Sequence, residues 1–141
     1  MSSINTPLTL QEFFHLLAYC IEHHKSNEEP YPSINECNTD RLESSLIAAF
    51  QTFDGSFLYK GFRLKAAVFF YCMIKNHPLN NGNKRMACLS LAYLADKNGY
   101  RLLIPADKFM GIAKIVANSN ESERDIIINE LHNIFNKYIK S

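Results

Sequence analysis

The chain has no tryptophan and few residues that interrupt regular structure, with only five glycines and five prolines among 141 residues. Its longest apolar run, Ala66 to Ile74, has nine residues, far fewer than the roughly 20 that a membrane-spanning helix needs. The segment from Met1 to Phe14 has no basic cluster before a hydrophobic stretch and no small-residue cleavage pattern. We therefore expect no membrane association, no secretory leader and a cytoplasmic location.

Metal-binding and disulfide patterns are also missing. The cysteines are separated by 17, 35 and 16 residues, without a Cys-x-x-Cys pair or a histidine at ligand spacing, which argues against zinc and against a disulfide framework. His23 and His24 are adjacent, so on a helix their side chains would point about 100° apart. We expect neither residue to be a metal ligand.

Acidic residues are missing from the 41 residues between Asp54 and Asp96. The net charge of the chain is only +1, which gives no argument for nucleic-acid binding. The acid-free segment, however, carries six cations: Lys60, Arg63, Lys65, Lys75, Lys84 and Arg85. If packing gathers them on one face, they would attract a phosphate chain; the alternative is a set of solvated surface charges.

What the sequence does contain is the pattern of one helix-rich domain covering residues 1–141. Seven tyrosines and ten phenylalanines, with 47% apolar residues overall, supply a core for a domain of this size. Turn-forming residues mark 25–38 as a loop, and 56–59 and 100–104 are expected to be extended. Apolar residues recur at helical spacing over six segments: 9–23, 40–53, 62–76, 84–98, 106–117 and 121–138.

The predicted helix over 62–76 is apolar nearly all round, which indicates that it is central and buried. Thr9 with Glu12 forms a capping-box pattern at the start of the first helix, and Thr39 or Asp40 is expected to cap the second. Pro78 disfavours helical geometry at the residue before it. The central helix therefore ends near Asn76, and His77 lies at the rim of the core.

The segment 77–85, His-Pro-Leu-Asn-Asn-Gly-Asn-Lys-Arg, combines several features of an anion site. A turn that runs into a helix start offers unpaired N–H groups and the positive end of the helix dipole. Lys84 and Arg85 add positive charge where a structural helix start would favour acids. Gly82 allows close backbone approach, and the amide of Asn83 can reach the loop or a phosphate oxygen.

His77 stands at the other end of this loop, where an imidazole can take a proton from a hydroxyl nucleophile. The arrangement would place a proton acceptor beside a phosphate site. A purely structural interpretation is also open, because a histidine often complements a helix end and Asn-Gly is a common turn.

The same segment resembles the signature of the Fic/Doc family, His-x-Phe-x-Asp/Glu-Gly-Asn-(Gly or Lys)-Arg. His77, Gly82, Asn83 and Arg85 stand at the family's positions, and Lys84 is the form found in the death-on-curing (Doc) branch. The likeness covers roughly residues 40–103, with the first and last helices alike in position only. Its other matching parts are 40–46, 57–59, 65–67 and Asn98-Gly99.

The resemblance implies a compact all-α bundle that transfers part of a nucleotide onto a hydroxyl of a target protein. His77 would be the general base. Gly82, Asn83, Lys84 and Arg85 would hold the phosphates of ATP, and Mg²⁺ would bridge them. The segment 53–60 would be a flap that aligns the target chain.

Lys84 also bears on the reaction that the resemblance implies. In the Doc branch the lysine crowds the pocket of the α-phosphate, and the nucleotide binds reversed with its γ-phosphoryl group towards the histidine. The expected protein is thus a toxin that acts as a kinase, on a target such as a translation factor, restrained by a small antitoxin protein.

Two positions depart from the family pattern. Leu79 replaces phenylalanine, which exchanges one apolar side chain for another. Asn81 replaces the acid that holds the metal, and an amide oxygen is a neutral, weaker ligand for Mg²⁺. Because of Asn81, a non-catalytic nucleotide-binding or interaction module is one alternative to the kinase. AMP transfer is the other, and Lys84 argues against it.

Overall fold

Six α-helices form most of the described part of the chain, which comprises residues 5–24, 30–79 and 82–141 of a computed structural model. They are α1 (Leu10–Glu22), α2 (Thr39–Ile47), α3 (Phe62–Lys75), α4 (Asn83–Lys97), α5 (Ala106–Asn118) and α6 (Arg124–Tyr138). Two antiparallel strand pairs join β1 (Thr52–Phe53) to β2 (Ser56–Phe57) and β3 (Arg101–Leu102) to β4 (Ile139–Lys140). The structure confirms the predicted all-α bundle with a short extended segment before its central helix.

Helix α3 is the centre of the bundle because it is apolar around nearly its whole circumference. Eleven of its fourteen residues are buried, and it packs against α2, α4, α5 and α6. The ring of Phe70 stacks on Phe109 of α5, with centroids 5.1 Å apart. It also meets Phe135 of α6 edge-on at 5.8 Å. Such aromatic pairs add to the stabilisation from buried area alone.

Helix α1 begins at the predicted capping box. The N–H of Glu12 donates to the Thr9 hydroxyl at 3.1 Å, and the N–H of Thr9 donates to the Glu12 carboxylate at 2.9 Å. Lys97, at the end of α4, forms a 2.6 Å ion pair with the same carboxylate. The start of α1 is thereby fixed to the last turn of α4.

Helix α2 differs from its prediction at both ends. Its N-cap is Asn38, whose side chain accepts from the N–H of Arg41 at 3.0 Å, so neither Thr39 nor Asp40 caps it. The helix stops at Ile47 and is followed by a 3₁₀ turn, Ala48–Phe50. The prediction that it runs to 53 is wrong because Thr52 and Phe53 pair with β2 instead.

The β1–β2 hairpin turns at Asp54 and Gly55, which have φ of 53° and 78°. Two successive left-handed residues match the twist of a tight hairpin. The extended segment expected over 56–59 thus contributes the second strand of a hairpin, with strand pairing limited to Ser56–Phe57.

The second strand pair was not predicted in full. The segment 100–104 is extended as expected, but its partner is the end of the chain, after α6. Arg63 of α3 donates to the carbonyl of Ile139 at 2.9 Å, and its guanidinium lies 5.5 Å from the centre of the Tyr100 ring. These contacts fasten both strands to the first turn of α3.

Within the described ranges, no helix is both long and apolar enough to cross a membrane. All four cysteines lie in those ranges and are free thiols. Burial raises the pKa of Cys88 to about 12, which keeps this thiol protonated and a poor nucleophile.

Candidate active site

The predicted general base, His77, follows the end of α3 in a left-handed backbone conformation. Asn76 caps the helix with ordinary geometry, and His77 follows with a φ of 47° and an exposed side chain. This conformation costs a residue with a side chain roughly 1–2 kcal/mol, and helices that end in this way favour glycine there. Backbone strain of this kind concentrates at functional sites, so the backbone geometry supports His77 as a candidate.

Helix α2 and its N-cap hold the chain on both sides of His77, at the Pro78 carbonyl and at the Asn76 side chain. The N–H of Asn38 donates to the carbonyl of Pro78 at 2.9 Å, and the amide of Asn76 donates to the Ser45 hydroxyl at 3.0 Å. Pro78 itself is buried. The imidazole is thus presented at the surface from a backbone that is anchored to the core.

Asn83 joins the two ends of the loop. Its Oδ1 accepts from the N–H of Leu79 at 3.0 Å, and its Nδ2 donates to the carbonyl of Leu79 at 2.9 Å. Leu79 is buried, 3% exposed, in the position where the family pattern has phenylalanine. Both polar atoms of the Asn83 side chain therefore serve the shape of the loop.

The start of α4 carries positive charge. Gly82 is the N-cap, with a left-handed φ of 73°, and among the described residues no side chain caps the helix. Its first turn contains no acid but does contain Lys84 and Arg85, both half-buried. The combination of a helix N-terminus with two cations suits a bound anion.

Arg85 has additional contacts that the sequence did not predict. Its Nη2 donates to the carbonyl of Pro30 at 3.0 Å, and its guanidinium lies 4.0 Å from the centre of the Tyr31 ring. It crosses over Gly82, where a Cβ atom would lie 3.3 Å from that Nη2. The only sequence signal for Tyr31 was an aromatic residue between two prolines.

The cations of the acid-free segment do not gather on one face. Four of them donate to backbone carbonyls in different parts of the chain. The pairs are Arg63 with Ile139, Lys65 with Tyr59, Lys75 with Ser119, and Arg85 with Pro30. Four of the six cations thus hold loops to α3 or α4. Arg85 is one of these four, and together with Lys84 it also lies at the start of α4.

A cavity of about 350 Å³ adjoins this site. Its wall is formed mostly by apolar side chains of α4, α5 and the segment between them, and includes Arg85 and Tyr31. His77 does not line it. The cavity therefore adjoins the cationic start of α4 without including the histidine.

The position of the predicted metal ligand, Asn81, lies outside the described residues. Asp54 is exposed in the hairpin turn, and Asp96 lies about 20 Å along α4 from Asn83. Throughout 5–24, 30–79 and 82–141, no three histidine, cysteine or acidic side chains are grouped as metal ligands would be. The described residues therefore do not supply a carboxylate set to replace the missing acid.

The helical bundle and its histidine loop form a Fic-type protein-modifying fold. A family model, described as Fic/DOC family, matches residues 7–95. This match covers more than half of the chain and includes the whole 77–85 segment, so the protein belongs to the Fic/DOC family. Comparisons with curated proteins and with solved structures gave no match.

The family match begins earlier than the likeness over 40–103 had indicated. It includes all of α1 and ends two residues before the end of α4. Helix α1 is therefore part of the family's shared region, while α5 and α6 lie beyond the matched segment.

Proposed function

We propose that this protein transfers the γ-phosphoryl group of ATP onto a hydroxyl of a target protein. The observation that supports the proposal most is the loop between α3 and α4. Exposed His77 stands at one end of it, and the cationic start of α4, which no described side chain caps, stands at the other. Family membership supplies the class of reaction, and Lys84 favours the Doc-type reaction over AMP transfer.

In this proposal ATP is a substrate, and its phosphates lie against the start of α4. The N–H groups of the first turn, the positive end of the helix dipole, Lys84 and Arg85 would stabilise their negative charge. Gly82 leaves room for the Arg85 guanidinium to lie over the start of α4. Asn83 shapes the loop through its two hydrogen bonds to Leu79, and its amide retains a second N–H that can donate to a phosphate oxygen.

His77 acts as the general base. As a serine, threonine or tyrosine oxygen of the target bonds to the γ-phosphorus, a ring nitrogen of His77 takes the hydroxyl proton. The bond between the γ-phosphorus and the bridging oxygen breaks, and ADP leaves with that oxygen. The exposed position of His77 gives a second protein access to it.

The β1–β2 hairpin is the surface proposed to align the target. Its strands are only two residues long, and Phe53 is 74% exposed. An exposed strand edge can pair with an extended segment of another chain. This gives the expected flap over 53–60 a structural basis.

No step of this proposal depends on Mg²⁺. The neutral amide of Asn81 replaces the family's metal-binding acid, and among the described residues no three histidine, cysteine or acidic side chains are grouped as metal ligands would be. That observation favours one rival, a non-catalytic nucleotide-binding or interaction module. AMP transfer, the second rival, shares the site and differs in which phosphorus reacts.

The proposal places the protein in the cytoplasm as the toxin of a pair, with a small antitoxin protein as its partner and a translation factor as a candidate target. Parallel incubation of a cell lysate with γ-labelled and α-labelled ATP separates the three functions. The kinase transfers only the γ label, and AMP transfer moves only the α label. Binding of ATP without transfer of either label, unchanged in Asn81→Asp, identifies the binding module.

A further inference from the structure

Lys65 is a buried cation in the first turn of α3. It is 1% exposed, and burial lowers its pKa. Neither of the two ion pairs found among residues 5–24, 30–79 and 82–141 includes it. A buried charge without an opposite charge is costly, so an apolar side chain would be the cheaper way to fill this position.

The contacts of Lys65 go to the hairpin and the residues that follow it. Its Nζ donates to the carbonyl of Tyr59 at 2.7 Å and lies 4.1 Å from the centre of the Phe57 ring. The ammonium therefore contacts one backbone carbonyl and one aromatic ring, which belong to residues two positions apart in the sequence. A desolvated cation over an aromatic face is favourable.

The hairpin has few other attachments. Besides its own short ladder, the N–H of Leu58 donates to the carbonyl of Gln51 at 2.8 Å. The ring of Phe57 meets that of Phe50 edge-on at 6.5 Å. A two-stranded hairpin is at best marginally stable by itself, so its position depends on what holds it to the bundle.

A second attachment comes from the start of α6. The Tyr59 hydroxyl accepts from Arg124 of α6 at 3.4 Å, and the guanidinium of Arg124 lies 5.8 Å from the centre of the Tyr71 ring in α3. Tyr59 is thus held at its carbonyl by Lys65 and at its hydroxyl by Arg124. The chain between the hairpin and α3 is fixed at both of these groups.

We propose that Lys65 is a positioning residue that holds the β1–β2 hairpin against α3. Through the hairpin it fixes where a target chain lies relative to His77. The second statement rests on the proposed function, whereas the first concerns the hairpin alone.

Amide hydrogen exchange of the whole chain tests the hairpin attachment directly. We expect Lys65→Met, which fills the same space without the ammonium, to speed exchange over 51–59 by about tenfold. Exchange in α4, α5 and α6 should stay as in the wild type. Lys65→Arg, which keeps a donor and a cation over the ring, should restore much of the protection.

Lys75→Met is the matched control, because Lys75 also donates from α3 to loop carbonyls, those of Ala117 and Ser119. It should speed exchange around 117–119 and leave 51–59 unchanged. Phe57→Leu removes the ring under the ammonium without altering α3, and should loosen the hairpin even if Lys65→Met does not fold. Unchanged hairpin exchange in both folded variants, or a uniform increase throughout the chain, would overturn the proposal.

Steady-state kinetics test the consequence for the target. Lys65→Met should raise the KM for the target protein about tenfold with kcat and ATP affinity unchanged. A fall in kcat at constant KM would contradict a positioning role. If the wild type transfers no label, the proposed function fails, and hydrogen exchange still decides the role of Lys65.

Discussion

The side-chain amide of Asn83 pairs with the backbone of Leu79 through both of its polar atoms, donating to the carbonyl at 2.9 Å and accepting from the N–H at 3.0 Å. This pairing closes the loop that begins at His77 and ends at the start of α4. Since Leu79 is buried, its N–H and carbonyl have little access to water to replace these bonds. The shape of the loop therefore depends on an amide at position 83.

Asn83→Ala should lower the free energy of unfolding by about 1–3 kcal/mol, because it leaves both backbone groups of Leu79 unpaired. Urea unfolding of the two proteins measures this difference. Asn136→Ala, at an exposed position of α6, is the control and should change stability by less than about 0.5 kcal/mol. Equal effects of the two substitutions would contradict the role assigned to Asn83.

His77→Gly should raise stability by about 1 kcal/mol, because glycine adopts the left-handed conformation at this position without steric cost. Its thermal midpoint should increase relative to the wild type. His77→Ala keeps the Cβ atom and should not show this gain. Both variants lack the imidazole, so both should lose transfer; a destabilised glycine variant would show that the strain is absent.

Gly82→Ala should lower stability by about 1–2 kcal/mol, because its φ of 73° is left-handed. The added Cβ would also lie 3.3 Å from Arg85 Nη2 and 3.5 Å from the Tyr31 ring. Gly111 offers a contrasting control in α5, because a Cβ added there would have no neighbouring atom within 4 Å. Gly111→Ala should stabilise by up to about 1 kcal/mol through helix propensity, and a similar loss in both variants would contradict the steric explanation.

Stability should fall in acid partly through Glu12. Burial raises the pKa of this carboxyl, but hydrogen bonds from Lys97 and Thr9 outweigh burial and lower it below its ordinary value of 4.5. A depressed folded-state pKa means that the unfolded chain binds more protons. The contribution is therefore present above pH 4.5 and is lost as the pH falls through the folded-state pKa.

Glu12→Gln isolates this effect, because glutamine can keep the capping box but cannot ionise. Urea unfolding at a series of pH values should show a shallower acid loss of stability in the variant than in the wild type. Parallel curves would contradict a depressed pKa at Glu12.

Local sequence signals predicted those parts of the fold that depend on neighbouring residues. The Thr9 capping box and the end of α3 before Pro78 both have their causes within a few positions. The prediction that α2 runs to 53 was wrong because Thr52 pairs with Phe57 in a strand, although the apolar pattern continues through this segment. Helical spacing alone carries no information about that competition.

The parts that could not be predicted join segments that are distant in sequence. The pairing of β3 with β4 brings Leu102 against Ile139, and no pattern in either segment specifies the other. The contact of Arg85 with Tyr31 likewise joins segments that are distant in sequence, and no local pattern specifies it. The motif predicted the candidate site residues, while their anchoring contacts arise only when α2, the segment at 30–32 and the hairpin pack on α3 and α4.

The most direct test of the proposed mechanism is the transfer of label from γ-labelled ATP by His77→Ala beside the wild type, with ATP affinity measured by calorimetry. We predict that the variant binds ATP as the wild type does and transfers label about 10²–10⁴-fold more slowly, because the proton acceptor is missing. Full transfer by His77→Ala would contradict the role of His77 and with it the proposed mechanism.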